Sequence, residues 1–226
     1  MKLANHLKCL LVEDKETQKS AATLFVASGS LNDPKGVDGL AHFCEHMLFL
    51  GTKKFPEENH YSKFIKQHGG AKNAATGEDY TNYHFDIKNE AFPEALDIFS
   101  QFFKEPMFSE DSTDREMNAV DSEFRRNLSN EARRKFQIEK TELACKTGPL
   151  NRFSTGNLQS LQVPNIREQL LKYYGEHYSA NLMSLCLVGN HSIEALEAMA
   201  VENFSDIENK NHALTDFTKS DPLFDE

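Results

Sequence analysis

Gly39-Leu40-Ala41-His42-Phe43-Cys44-Glu45-His46-Met47-Leu48-Phe49-Leu50-Gly51 is the stretch around which the chain is organised. Leu40, Phe43, Met47 and Leu50 recur at three- and four-residue steps, which predicts a helix. Asp38 is the expected N-cap and Gly51 the expected stop. On such a helix His42 and His46 lie one turn apart and project from the same face. That spacing lets two imidazoles hold one Zn²⁺, each at about 2.0–2.1 Å. Glu45 falls between them in angle, within reach of a water on the metal. Zinc acidifies such a water, and a neighbouring carboxylate takes its proton.

Two histidines and a glutamate on a solvated helix face would mean little. Here the flanks are apolar, so the helix is expected to be buried, with the charged triplet lining a cleft. His42-Phe43-Cys44-Glu45-His46 reads H-x-x-E-H, the inverse of H-E-x-x-H and itself a signature of zinc peptidases. Cys44 points to the helix's other side and belongs to the core.

The 226 residues suit one large domain or two small ones. At 39% hydrophobic, with seventeen Phe and no Trp, the chain has the means for a core built on phenylalanine. A net charge of −10 excludes nucleic acid and anionic membrane surfaces as partners. No apolar run approaches membrane-span length, and Met1 to Glu13 lacks a secretory pattern. Cys9, Cys44, Cys145 and Cys186 have no paired spacing, so free thiols and a cytoplasmic location are expected.

Along the chain, Leu7–Val12 and Ala21–Ala27 read as strands, the second central and buried. After the H-x-x-E-H helix, Pro56 is the expected first residue of another, with Glu57 and Glu58 in its first turn and Gly69-Gly70 ending it. Asn73–Thr76 and Tyr80–Ile87 are strand-like, the latter alternating with period two. Phe92 to Phe103, Ser109 to Arg126, Glu131 to Cys145, Ile166 to Tyr178 and Ser192 to Phe204 read as helices, and Leu182–Val188 as a buried strand. Residues 147–165 read as an extended loop. The mixed order, without regular β-α-β alternation, predicts an α+β fold: a mainly antiparallel sheet with helices packed on one face. The domain is expected over 1–204, with 205–226 a polar tail or linker.

Catalytic zinc takes three protein ligands and leaves a position for water. The long helix from Ser109 offers Glu116 and Glu123, two turns apart on one face with small Ala119 between them. By themselves these are equally the carboxylates of an ordinary charged helix.

GLAHFCEHMLFLGTKKFPEENHYSKFIKQHGGAKNAATGEDYTNYHFDI followed by DREMNAVDSEF resembles the inverzincin metallopeptidases of the pitrilysin, insulysin and nardilysin group. The likeness is greatest to the first domain of insulysin-type enzymes. It continues through FSTGNLQSL at 153–161, YYGEHYSANLMSLCLVG at 173–189 and FSDIENKN at 204–211. The resemblance implies a zinc-dependent peptidase domain with one Zn²⁺ on His42, His46 and Glu123. It implies Glu45 as general base and Glu116 as the carboxylate that supports the ligands by hydrogen bonding. It assigns Asn73, Ala74, Ala75 and Thr76 to a strand edge that pairs with the backbone of an extended peptide substrate. Phe153, Thr155, Gly156 and Asn157 fall in a loop like one near the family's cleft.

There are two departures. Asn5-His6 stands where the family usually carries Asn-Gly, and is expected to be a turn variation only. The group's enzymes close a chamber from four related domains, and this sequence corresponds to the first. Arg and Tyr side chains from the opposite half have no counterpart in it. Expected partners are peptides, together with either a second copy in a homodimer or the other domains of a larger peptidase. Two functions compete: a metalloendopeptidase domain, weak in isolation, and a catalytically impaired relative that binds zinc and peptides as a regulatory module. A purely structural zinc site is disfavoured by Glu45, since a closed site needs no base.

Overall fold

A computed structural model describes residues 1–217 of the chain. In order its elements are β1 (Lys8–Glu13), β2 (Lys19–Val26), α1 (Leu40–Met47), α2 (His60–Gln67), β3 (Ala71–Thr76) and β4 (Thr81–Lys88). There follow α3 (Phe92–Ser100), α4 (Glu110–Asn127), α5 (Glu131–Leu143), α6 (Leu158–Leu161), α7 (Ile166–His177), β5 (Met183–Gly189) and α8 (Ile193–Phe204). The fold is α+β, as the pattern predicts.

The five strands form one sheet in the order β1-β5-β2-β4-β3. Three of its pairings are antiparallel, and β1 with β5 is parallel. Period-two alternation sorts the two faces. Ala22, Leu24, Val26, Tyr83, Phe85, Ile87, Leu185 and Leu187 are buried beneath the helices, whereas Leu10, Phe25 and His84 face outward and are exposed. So β2 is central, as expected, but buried on one face only. Tyr61 of α2, Phe85, Phe99 of α3 and Phe102 just beyond it meet at 4.9–6.3 Å, edge to face or tilted except for the stacked Tyr61–Phe99 pair. Each such side chain removed from water contributes about 1.5–3 kcal/mol, so phenylalanine does carry the core.

Three local differences from the sequence pattern have physical causes. Helix α1 is not capped by Asp38. Asp33, from the loop before it, accepts from the Gly39 and Ala41 N–H groups at 2.7 Å each. Helix α2 begins at His60, not Pro56. The segment before it is held in a turn by Thr52 N–H to Phe55 O at 3.0 Å, and Glu58 is drawn to Arg115 and Ser112 on α4. The 147–165 segment contains the one-turn helix α6, whose N-terminal end is closed by a reciprocal pair. Asn157 Oδ1 accepts from Ser160 N at 2.9 Å, and Ser160 Oγ accepts from Asn157 N at 3.1 Å.

Past α8 the backbone carries no further regular element as far as 217, yet its start is seated. Ile207 is buried, and Lys210 Nζ donates to the Gly175 and Tyr178 carbonyls. The rest of the expected tail, 218–226, lies outside the described residues.

Asn5 ties the start of β1 to this seat, donating to the carbonyls of Phe204 and Ile207 at 2.8 and 3.0 Å. The next residue, His6, has φ 72, a left-handed conformation that costs a residue with a Cβ roughly 1–2 kcal/mol. Glycine avoids that strain but loses more chain entropy on folding. His6→Gly should therefore raise stability by about 0.5–1 kcal/mol, read as a higher urea midpoint at unchanged slope.

Candidate active site

Helix α1 enters from Gly39, whose φ is 88, and runs beside the loop that carries Gly156. A Cβ on Gly39 would lie 2.3 Å from Gly156 Cα, so two glycines are what allow this approach. Asp121 of α4 holds the same loop by accepting from Leu158 N at 3.1 Å. Phe124 packs edge-on against Phe153 at 5.1 Å.

The approach brings the Thr155 carbonyl to His42 Nδ1 at 2.7 Å. A carbonyl only accepts, so Nδ1 donates and Nε2 keeps its lone pair. On the next turn His46 Nδ1 donates to Glu116 Oε1 of α4 at 2.7 Å. The two Nε2 atoms then face each other at 3.2 Å. Glu123 Oε2, two turns beyond Glu116, lies 3.6 Å from His46 Nε2 and 3.9 Å from His42 Nε2.

Two ring nitrogens 3.2 Å apart beside a carboxylate make a place for a cation, either a proton on His46 Nε2 or a metal ion that replaces it. Donors at about 2.0–2.1 Å from a tetrahedral ion stand roughly 3.3–3.4 Å apart, close to the spacings here. His42, His46 and Glu123 form the group suited to a metal ion among the described residues. The local field agrees. Burial opposes a charge on His46, but hydrogen bonds to Glu116 and Glu123 outweigh it and hold its pKa at about 9. The His46 bond is also the main reason that Glu123 is pushed down to about 2. What favours a proton between these groups favours a divalent cation there.

Glu45 is 6% exposed. Its Oε2 accepts from the Thr76 hydroxyl at 2.6 Å, which links α1 to the end of β3. Strand β3 pairs with β4 on one side and is the last strand of the sheet on the other. Asn73, Ala74, Ala75 and Thr76 all border a cleft of about 650 Å³ that also contains His42, Glu45, His46, Glu116 and Glu123. The expected ligands, base, supporting glutamate and strand residues thus border one cleft together with Thr155, whereas Phe153, Gly156 and Asn157 of the same loop do not line it. Four features carry no strong sequence signal: the Thr155 main-chain acceptor, the Gly39–Gly156 contact, the Asp33 cap and the Thr76–Glu45 bond. Only the glycines flanking the motif and the loop hint at them.

Three metal-type donors on two helices, beside a free strand edge, define the class: an α+β domain of the peptidase type built on an inverted H-x-x-E-H helix. The chain belongs to the insulinase family, peptidase family M16, whose model matches residues 8–146; that of the "Peptidase M16 inactive domain" matches 165–225. The second match includes β5, which lies between β1 and β2, so both matches contribute to one sheet. The chain is 49% identical over 223 residues to the insulin-degrading enzyme of Bos taurus, covering 96% of this chain and 22% of that protein. It is 45% identical over 220 residues to the A-factor-processing enzyme of Saccharomyces cerevisiae, covering 95% and 21%. The crystal structure of pitrilysin superposes with a TM-score of 0.94 at 32% identity, covering 99% of this chain and 24% of that one. The first half of the periplasmic protease PqqL from Escherichia coli gives 0.84 at 25% identity, covering 96% and 47%. The chain therefore spans about a fifth of the length of the enzymes it matches in sequence.

The Asp33 cap makes a pH prediction. Burial is the larger influence on its carboxyl, opposed by the Ala41 and Gly39 N–H bonds, and pushes its pKa up to about 7. The folded chain then keeps a proton that the unfolded chain, near its usual value of about 3.9, releases earlier. Stability from this group is full below about pH 4 and is lost as pH rises to about 7, by up to about 4 kcal/mol. Asp33→Asn should flatten that part of the curve in urea melts across pH 4–8; an identical slope in both proteins would refute the assignment.

Proposed function

We propose that this chain is a zinc-dependent metalloendopeptidase domain that hydrolyses peptides. The observation that carries the reading is the convergence of the His42, His46 and Glu123 donors with Glu45 on the open edge of β3. His42 and His46 hold one Zn²⁺ through Nε2, and Glu123 holds it through a carboxylate oxygen. When bound, zinc supplies Lewis acidity to a water and to the scissile carbonyl. The Thr155 carbonyl and Glu116 keep both Nδ1 atoms as donors, which fixes the rings and the tautomer of each ligand. Glu45 accepts the proton of the attacking water and returns it to the leaving amine. Strand β3, through Asn73 to Thr76, takes the peptide as an added strand and so selects extended backbone rather than sequence. Kinship supports the reading: several relatives are named for peptide processing or degradation, and one of Schizosaccharomyces pombe is named a putative zinc protease.

The domain is taken as 1–204, with 205–226 as a linker. The four thiols are free, which suits the cytoplasm, and among the described residues no helix is long and apolar enough to cross a membrane. A second reading, a zinc- and peptide-binding module with impaired catalysis, is favoured by the make-up of the cleft. No tyrosine borders it among the described residues. Losing one oxyanion donor costs on the order of 10²–10³ in rate, and positioning supplies roughly 7–11 kcal/mol of a barrier. Weak turnover by the isolated chain is therefore the expectation. A homodimer or further domains would complete the cleft.

Elemental analysis should find one zinc per chain, lost in His42→Ala. Glu116→Gln should bind zinc about 10–100-fold more weakly in chelator competition; unchanged affinity would reduce Glu116 to a surface acid. Glu45→Gln should retain zinc yet show no cleavage of a quenched fluorescent peptide. Equal cleavage by Glu45→Gln would overturn the peptidase reading, and zinc binding without cleavage by the parent chain would select the second.

A further inference from the structure

We propose that the α4–α5 wall of the cleft is a subsite for a carboxylate of the bound peptide, gripped by Arg126 and Arg133. The inference rests on the peptide reading above and adds a preference in side-chain chemistry that the strand edge alone cannot provide.

Arg126 follows Glu123 by three residues on α4, so it lies on the same helix face about one turn beyond the metal-type triad. Arg133 is in the first turn of α5. Both border the cleft with β3, and both are exposed. Four neighbouring cations on these helices are matched to acids, Arg115 to Glu58 and Arg125 to Asp121 at 2.6 Å, Lys140 to Glu78 at 2.9 Å and Lys135 to Glu139 at 3.5 Å. Arg134, also without a close acid among the described residues, borders other grooves and not this cleft. Among the described residues neither Arg126 nor Arg133 has a side-chain hydrogen bond or close ion pair, although the Arg126 charge helps hold the Glu123 carboxyl low.

The carboxylates of the cleft are committed elsewhere. Glu116 is bound to His46, Glu45 to Thr76, Glu58 to Arg115, and Glu123 faces the two imidazoles. The third cation of the cleft, Lys72, rests 3.9 Å above the Phe49 ring. Two guanidiniums without a close acid among the described residues remain in this cleft, in a protein whose net charge is −10. Their planar forks match a carboxylate in two-point geometry. A peptide lying along β3 projects alternate side chains to opposite sides, so one set of them faces this wall. Either an Asp or Glu side chain near the bound strand or the peptide's own terminal carboxylate would satisfy it.

The test uses the full chain carrying Glu45→Gln, loaded with zinc, and fluorescein-labelled decapeptides read by anisotropy. One peptide has a central Glu and an amidated C-terminus, one has Gln in its place, and one is the Gln peptide with a free C-terminus. The Glu peptide should bind about three- to tenfold more tightly than the amidated Gln peptide, a margin in keeping with exposed charge pairs. The advantage should fall with added salt and vanish in Arg126→Gln/Arg133→Gln. In Arg133→Glu the preference should shift to a fourth, amidated peptide with a central Lys. A gain by the free C-terminus that the double Gln variant abolishes would assign the subsite to the terminal carboxylate. Equal binding of all three peptides, or a Glu advantage that survives in the double variant, would overturn the subsite and leave the peptide reading intact. Failure of every peptide to bind would overturn both.

Discussion

The 2.7 Å bond from His46 Nδ1 to Glu116 joins two helices nearly 70 residues apart in sequence, and the rest of the site depends on it. It turns the ring so that Nε2 faces His42, and sets α4 at the height where Glu123, two turns on, reaches the same point. Without it His46 would be free to rotate and Glu123 would be a solvated acid. On the other side the Thr155 carbonyl does the same for His42. A metal ion entering between them would meet rings already turned toward it and would displace the proton that the local field favours on His46 Nε2.

The second constraint is closeness. Metal-type donors need to converge within a few ångströms, and side chains alone cannot bridge a loop held away by a Cβ. Gly39 and Gly156 remove that obstacle, Asp33 anchors the N-terminus of α1, and Asp121 pulls the loop toward α4. The cost is a carboxylate at Asp33 buried with a raised pKa. This is stability given up to hold a functional helix in place.

The sheet contributes in a different way. Its helices cover one face, so β3 ends the sheet beside the mouth of the cleft with one edge unpaired. Through Thr76 that edge touches Glu45 directly. The edge strand and the buried Glu45 are thus joined by one hydrogen bond.

What the sequence by itself determined is what depends on local periodicity and residue type. Leu40, Phe43 and Met47 mark α1, the alternation in Tyr80–Ile87 marks β4, and the spacing of His42 with His46 and of Glu116 with Glu123 puts each pair on one helix face. Hydrophobic spacing and helical pitch operate within a few residues, and so they are legible. What only the tertiary structure decided is what passes between distant segments. Asp33 displaced Asp38 as the cap because a loop folded back over the helix start. Pro56 lies outside α2, in a segment held by the Thr52–Phe55 turn and by the contacts of Glu58 with Arg115 and Ser112. Thr155 reaches His42 through a main-chain carbonyl, which every residue possesses and which therefore leaves no mark in a sequence. Convergence of α1, α4 and the 153–157 loop is a property of packing, and packing is a sum over contacts that no single stretch contains.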